Sequence, residues 1–303
     1  MRILSLFDGI SVAQQALKEL GYTFTYYASE VDKYAIQITQ KNHPETIQLG
    51  DVTKVTKEIV GNVDILVGGF PCQSHSIAGK RKGFDDPRGQ LFFECTRLLR
   101  ELRPKYFLFE NVHSMSTEAK RIITKDLLNV YEDTNYIMID AALVSAQSRK
   151  RIFWTNIPGV GQPRDRGIML KDVLEPEVED KYNISTQHTQ AMINARSGIN
   201  DKRNWDTIRI GEIGNGGQSS RVYSPGGKSV TLSALGGGEG AKTGLYLDNE
   251  VIRKLTPVEC ERLQSLPDNY TEGISNTQRY KCLGNAFNCE VIKHIFSYME
   301  KAI

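Results

Sequence analysis

Cys72 is the residue in this chain whose surroundings best suit nucleophilic chemistry. It lies in Gly68-Gly69-Phe70-Pro71-Cys72-Gln73-Ser74-His75-Ser76, a polar and turn-rich stretch that follows a short apolar run. A lone cysteine is usually an inert core residue, and a thiol becomes a nucleophile only as thiolate, in electropositive surroundings. Lys80, Arg81, Lys82 and Arg88 follow closely. Two further groups fit beside it. Glu110, in Phe109-Glu110-Asn111-Val112, closes a second apolar run, where a carboxyl can share or donate a proton or simply cap a helix. In Gln147-Ser148-Arg149-Lys150-Arg151, strand spacing would set Gln147, Arg149 and Arg151 on one side. Two guanidinium groups so placed can hold an anion, a carboxylate or a carbonyl oxygen.

A separate set of residues suits a nucleotide-like ligand. Phe7-Asp8-Gly9-Ile10-Ser11 is a turn after a first strand, without the glycine fingerprint of a dinucleotide cradle. Glu30 closes the second strand, where a carboxylate can accept both ribose hydroxyls; Val31 follows it. Asp51, with Val52 next to it, comes after a third strand-like piece and is placed to meet an adenine amine. Each acid alone is more often a surface residue or a cap; their order along a βαβ series is what favours the ligand.

The elements that must position these groups alternate in type. Arg2–Phe7, Phe24–Ala28, Val63–Val67, Tyr106–Phe109, Ile137–Val144 and Arg151–Thr155 read as strands. Helical patterns intervene from Ser11, where Ser11 and Gln14 suggest a capping box, from Lys33, and over Leu91–Leu102. The expectation is an α/β fold, Rossmann-like, with a mainly parallel sheet of six or seven strands. Past Pro158 the character changes, and eleven of the 26 glycines fall between Gly211 and Gly244. That density predicts a small loop- and β-rich second domain whose backbone approaches a partner closely. Thr256-Pro257-Val258-Glu259 then marks a capped helix start. The predicted division is a catalytic domain over 1–174 completed by 284–303, a recognition domain over 175–256 and a connecting region over 257–283.

A chain of 303 residues with 40% hydrophobic content supports a full core, and a net charge of +2 identifies no partner. The basic residues do cluster, at Lys80-Arg81-Lys82, Arg149-Lys150-Arg151 and Lys202-Arg203, as phosphate binding or a solvated face would require. Five cysteines without a CxxC pair, no secretory leader and no long apolar run predict a reduced cytoplasmic protein, with no metal site and no membrane span.

Taken in order, FDGIS, GGFPCQ, FENV, QSRKR, RKLTPVECERLQSLPD and LGNAF resemble the bacterial and phage DNA cytosine-C5 methyltransferase family over nearly the whole chain. The first 150 residues also resemble the mammalian de novo branch, through FDGI, the Glu30 region and Gln90–Glu94. The resemblance implies an S-adenosylmethionine-dependent methyltransferase that releases S-adenosylhomocysteine and acts on a cytosine flipped out of duplex DNA. It casts Cys72 as the nucleophile toward C6, Glu110 as the partner of N3 and the exocyclic amine, and Arg151 as the holder of O2. Arg149 positions the intermediate or the loop around Cys72, with Gln147 in the same catalytic group. It carries Phe7, Asp8, Gly9, Ile10, Glu30, Val31, Asp51, Val52, Gly69, Leu91, Asn285 and Ala286 onto the cofactor pocket.

The segment Arg209–Leu247 resembles the recognition region of the GCGC-specific members of that family. Gln218 would fill the space left by the flipped base, and Arg221 would read guanine in the major groove or contact phosphate. Ser233, Gly237 and Arg81 complete the implied DNA contacts. The chain departs from those members at Leu235, where they carry an aromatic residue, and at Ala78 and His75. GCGC is the expected target, with a related site such as GCNGC next. The resemblance further implies a monomer in a bacterial or phage setting, acting on double-stranded DNA, with a cognate restriction endonuclease as a partner it admits. An RNA cytosine methyltransferase of the same fold, a nicotinamide oxidoreductase and an inactive DNA-binding homologue are the competing readings. The oxidoreductase leaves PCQ, ENV and QSRKR without a role, and retention of every catalytic position argues against an inactive protein.

Overall fold

The computed structural model describes residues 1–71, 87–184, 207–213, 218–235 and 240–299, apart from the side chains of 87–90 and 218. The chain divides into two compact units, Met1–Ile139 with Lys150–Gln162 and Val291–Ile303, and Asp140–Arg149 with Pro163–Glu290.

The first unit is built on a seven-stranded sheet. Its strands are β1 (Arg2–Leu6), β2 (Thr25–Ser29), β3 (Ile47–Gln48), β4 (Ile65–Gly68), β5 (Tyr106–Val112), β6 (Asn135–Asp140) and β7 (Lys150–Thr155), in the order β3-β2-β1-β4-β5-β7-β6. Strands β3, β2, β1, β4 and β5 pair in parallel, and β7 joins β5 antiparallel. Parallel strands flanked by helices are covered on both faces, so they consist of near-continuous apolar residues. All four residues of β4 and four of the five in β1 are buried.

Between the strands run α1 (Val12–Glu19), α2 (Lys33–Asn42), α3 (Lys57–Val60), α4 (Pro87–Leu102) and α5 (Thr117–Leu128). One face of the sheet packs Leu4, Leu66, Phe107, Phe109 and Trp154 with Phe92 and Leu99 of α4 and Ile123 of α5. Because β1 and β4 are neighbours while the chain runs outward from each, their carboxyl ends open a crevice at the point where strand order reverses.

Three local expectations change. Ser11 does not form a capping box: it adopts a left-handed conformation with φ of 56°, makes no cap hydrogen bond, and Gln14 instead accepts from Thr46 Oγ1 at 2.7 Å. Strand β5 runs to Val112, so Glu110 and Asn111 lie within it. Strand β6 ends at Asp140, whose side chain caps a short 3₁₀ turn at Ala141–Leu143.

The second unit carries a four-stranded sheet of β8 (Ile208–Glu212), β9 (Arg221–Ser224), β10 (Leu245–Asp248) and β11 (Val251–Arg253), in the order β11-β10-β9-β8. Its apolar cluster is small, with Val222, Leu245 and Ile252 at the centre. Buried charge supplements it. Arg253 pairs with Glu259 at 2.8 Å and with Asp248 at 2.8 Å, and Arg279 pairs with Glu261 at 2.8 Å. Helix α6 (Pro257–Leu263) has the expected capping box, in which Thr256 accepts from the Glu259 amide and Glu259 accepts from the Thr256 amide. Helix α7 (Asn276–Asn285) follows, and α8 (Cys289–Phe296) contributes its residues from Val291 onward to the first unit.

Candidate functional site

At the carboxyl end of β1 the backbone takes left-handed conformations at Phe7 (φ 54°), Gly9 (φ 62°) and Ser11 (φ 56°). Such a turn needs support where the residue is not glycine, and the support comes from β2. The Asp8 amide donates to Ser29 O at 3.2 Å, and the Gly9 amide donates to Glu30 Oε2 at 2.8 Å. Oxygen Oε1 of Glu30 accepts from the amides of Val31 and Asp32, at 2.7 and 2.8 Å. One carboxylate therefore fastens the β1 turn to the end of β2.

Asp8 is buried beneath this turn. Tyr26 donates to its Oδ1 at 2.8 Å and Ser11 donates to its Oδ2, while Ser11 Oγ lies 2.9 Å from Thr39 Oγ1. Burial raises the Asp8 carboxyl from its ordinary 3.8 to about 6, against the lowering effect of its hydroxyl donors. Nothing in the sequence pattern singles out Tyr26 or Thr39; their role follows from β2 and α2 folding over the turn.

The remaining residues expected around a cofactor are placed as follows. Ser29 Oγ donates to Gly50 O at 2.7 Å, which brings the chain before Asp51 to the end of β2. Asp51 is exposed, caps the 3₁₀ turn at Val52–Lys54, and accepts from the Thr53 amide at 2.9 Å. The amide and hydroxyl of Thr53 hold its carboxyl below the usual range. Val31 is 73% exposed, whereas Ile10 and Val52 are buried. Gly69 is half-buried and Leu91 packs against the core of the first unit. Asn285 and Ala286 lie at the end of α7, in the second unit.

These residues fit a nucleoside carrying a charged tail. A Cβ on Gly9 would meet no atom within 4 Å, so open space faces the turn. A carboxylate and an exposed apolar side chain, Glu30 and Val31, stand together at the end of β2.

Across the switch point, β5 and β7 present a second group. Arg151 Nε lies 2.8 Å from Glu110 Oε1, both side chains mostly buried. In the antiparallel register Glu110 faces Phe153 and Val112 faces Arg151, so the pair is a diagonal contact on one face. Asn111 points the other way, is buried, and donates from Nδ2 to Phe70 O at 3.1 Å. The Phe70 ring packs on Phe92 and Trp154, with centroids 5.1 and 6.3 Å away. The neighbour of Glu110 thus anchors the segment that leads into residue 72. Cys72 itself lies outside the described residues, as do Arg81 and Gly237 and the side chain of Gln218.

The described cysteines, Cys95, Cys260, Cys282 and Cys289, are all buried and unbridged. Burial pushes the thiols of Cys95 and Cys260 upward, away from thiolate.

Gln147 and Arg149 do not share a strand face with Arg151. Strand β7 starts at Lys150, and the two residues before it belong to the second unit. Both are buried there. Arg149 Nη2 donates to Gly284 O at 3.0 Å and Ala286 O at 2.8 Å. Gln147 Nε2 donates to Leu263 O at 3.3 Å, and its Oε1 accepts from the Leu232 amide at 3.0 Å. A period-two pattern held only on paper, because the chain leaves the sheet before Lys150. Of the residues expected to touch DNA, Arg221 opens β9 opposite Glu212, and the Ser233 amide donates to Lys242 O at 3.0 Å. Leu235, two residues on, is 67% exposed.

Among the described residues no three of His, Cys, Asp and Glu gather as a metal site, and no helix is long and apolar enough to cross a membrane.

The family described as C-5 cytosine-specific DNA methylase matches residues 1–301. The chain is 35% identical over 309 residues to the type II methyltransferase M.HhaI of Haemophilus parahaemolyticus, covering 97% of this chain and 93% of that protein. It is 33% identical over 314 residues to the type II methyltransferase M1.ScrFI of Lactococcus lactis subsp. cremoris, covering 98% and 77%. Among solved structures, the methyltransferase EhMeth of Entamoeba histolytica matches with a TM-score of 0.74 at 17% identity, over 98% of this chain and 97% of that one, a likeness of fold. The chain belongs to the C-5 cytosine-specific DNA methylase family and is a DNA cytosine-5 methyltransferase.

Proposed function

We propose that this enzyme methylates C5 of a cytosine flipped out of a specific duplex sequence, with Cys72 as the attacking group. The observation that carries the reading is the Asn111–Phe70 hydrogen bond. It ties the strand bearing Glu110 to Phe70, two residues before Cys72, and so supports the reading that acid and nucleophile serve one base.

C5 of cytosine is a weak nucleophile. Addition of the Cys72 thiolate to C6 breaks the C5=C6 π bond and moves its electron pair to C5, in conjugation through C4 with N3, where Glu110 offsets the charge that develops. Arg151, held against Glu110, faces O2. S-adenosylmethionine supplies the electrophilic methyl group when bound. Phe7, Gly9, Glu30, Val31 and Asp51 hold the cofactor, Glu30 through the ribose hydroxyls and Asp51 through the adenine amine. Asp8, Ile10, Val52, Gly69 and Leu91 complete the pocket or support it. After transfer, loss of the C5 proton returns the electron pair to the ring and releases the Cys72 thiolate. Gln147 and Arg149 act from behind, as braces of the second unit.

The recognition surface lies on the second unit, with Gln218, Arg221, Ser233 and Gly237 as its contacts, and Arg81 is a further DNA contact. The target is GCGC, or next a site such as GCNGC. The type II names of the relatives support a setting with a cognate restriction endonuclease, in the cytoplasm of a bacterium or carried by a phage, with the enzyme acting as a monomer.

Incubation with labelled S-adenosylmethionine and duplex DNA, followed by base-resolution mapping, tests the reading. Label is expected on cytosine C5 within one short sequence, and none with Cys72→Ser. Methyl groups on cytosine N4 or adenine N6, or full activity of Cys72→Ser, would overturn it.

A further inference from the structure

On the other face of the sheet from the Glu110–Arg151 pair, the ends of β5 and β7 carry two basic side chains, and the start of α5 a third, that the mechanism above does not use. His113 follows directly on β5, and its amide donates to Lys150 O at 3.5 Å, which continues the β5/β7 ladder by one step. In that ladder Val112 faces Arg151, so His113 and Lys150 fall on the opposite side from Arg151, the side that α5 covers. Lys120, in the first turn of α5, acts on the His113 imidazole through its charge. His113 and Lys150 are exposed and Lys120 is half-buried. Among the described residues neither lysine has an acidic partner. The carboxylates near them are taken: Glu118 by Arg121 at 2.7 Å, and Glu110 by Arg151 at 2.8 Å.

Two lysine charges beside a partly buried imidazole disfavour its protonation. Partial burial first, then Lys120 and Lys150, hold His113 below its usual 6.5. A cluster of this kind gains from an anion. Its position decides which one, because the carboxyl edge of β5 is where the target base must be presented, and at about 3.3 Å per residue His113 lies within about 10 Å of Glu110. The backbone of the substrate strand has to pass at that range.

We propose that His113, Lys120 and Lys150 form a phosphate cradle, which grips a phosphodiester of the DNA strand beside the flipped cytosine. The inference rests on the reading that duplex DNA is the substrate. A bound phosphate neutralises the repulsion and favours the protonated imidazole, so the complex takes up a proton at His113. The charged groups that act on His113 are Lys150 from β7 and Lys120 from α5, while the Glu110–Arg151 pair lies on the other face of the sheet.

The test is the salt dependence of duplex binding by the full-length enzyme with S-adenosylhomocysteine present, using Lys120→Gln, Lys150→Gln and the double variant. Both lysines serve one phosphodiester, so the double variant should lower the slope of log affinity against log salt by about one, and each single variant by part of that. Lys150→Arg should keep the wild-type slope. Lys125→Gln, which removes the same charge near the far end of α5, should also leave it unchanged. Wild-type affinity should rise from pH 8 to pH 6, and His113→Gln should flatten that rise. Slopes of both single variants equal to wild type, or equal losses in Lys125→Gln, would overturn the cradle. These slopes are measurable on any duplex, so they stand apart from methyl transfer, whose absence in the wild type would sink the proposed function instead.

Discussion

Glu110 and Arg151 meet across the β5/β7 pair, Nε to Oε1 at 2.8 Å, although 41 positions separate them in the sequence. The antiparallel return of β7 against β5 creates this contact, and it aims a carboxylate and a guanidinium from the same sheet edge. Glu110→Gln keeps the shape and removes both the acid and the ion pair. The expected result is a fall in kcat of about 100- to 10,000-fold. Single-turnover methylation at saturating DNA measures it; retention of more than half the rate would remove Glu110 from the chemistry.

Glu30 accepts from three backbone amides, those of Gly9, Val31 and Asp32. An amide in its place turns one acceptor into a donor facing an N–H. Glu30→Gln should weaken cofactor binding by about ten-fold or more, since hydrogen bonds to a charged group contribute about 1.5–3 kcal/mol each. Titration calorimetry with S-adenosylhomocysteine reads the loss, and kcat at saturating cofactor should change less than KM.

Asp8 should make stability pH-dependent in a set direction. Its folded value of about 6 exceeds the ordinary 3.8, so its neutral form favours the fold below about pH 4, and that contribution is lost as pH rises through about 6. The gap is worth about 3 kcal/mol. Asp8→Asn removes the titration. The Tm of Asp8→Asn relative to wild type should therefore climb between pH 4 and pH 7, and a flat difference by scanning calorimetry would contradict the assignment.

Gly284 has no room for a side chain. A Cβ there would stand 2.4 Å from Ala234 N and 2.5 Å from Ser233 C, while the Gly284 carbonyl is fixed by Arg149. Gly284→Ala should displace residues 233–234 and cost about 1–3 kcal/mol of stability. Urea denaturation measures the cost, and a gel-shift comparison of the proposed GCGC target with unrelated duplex should show weaker discrimination.

Motif order and local pattern were enough to indicate the family and its reaction, the α/β class and the capped start at Thr256, because each depends on neighbours a few positions away. Asp8, by contrast, has an unusual carboxyl only because Tyr26 and Ser11 close over it. Gln147 and Arg149 looked like strand partners of Arg151, yet Arg149 reaches Ala286, 137 positions on. Asn111 could be seen in its motif, but its grip on Phe70 could not. Burial, ion pairing and the choice of unit arise from contacts between distant segments, which a period of two or 3.6 along the chain does not encode. The sequence by itself determined which reaction this protein is equipped for. Only the tertiary structure decided which side chains face the crevice and which brace it, because that depends on where the chain enters and leaves the sheet.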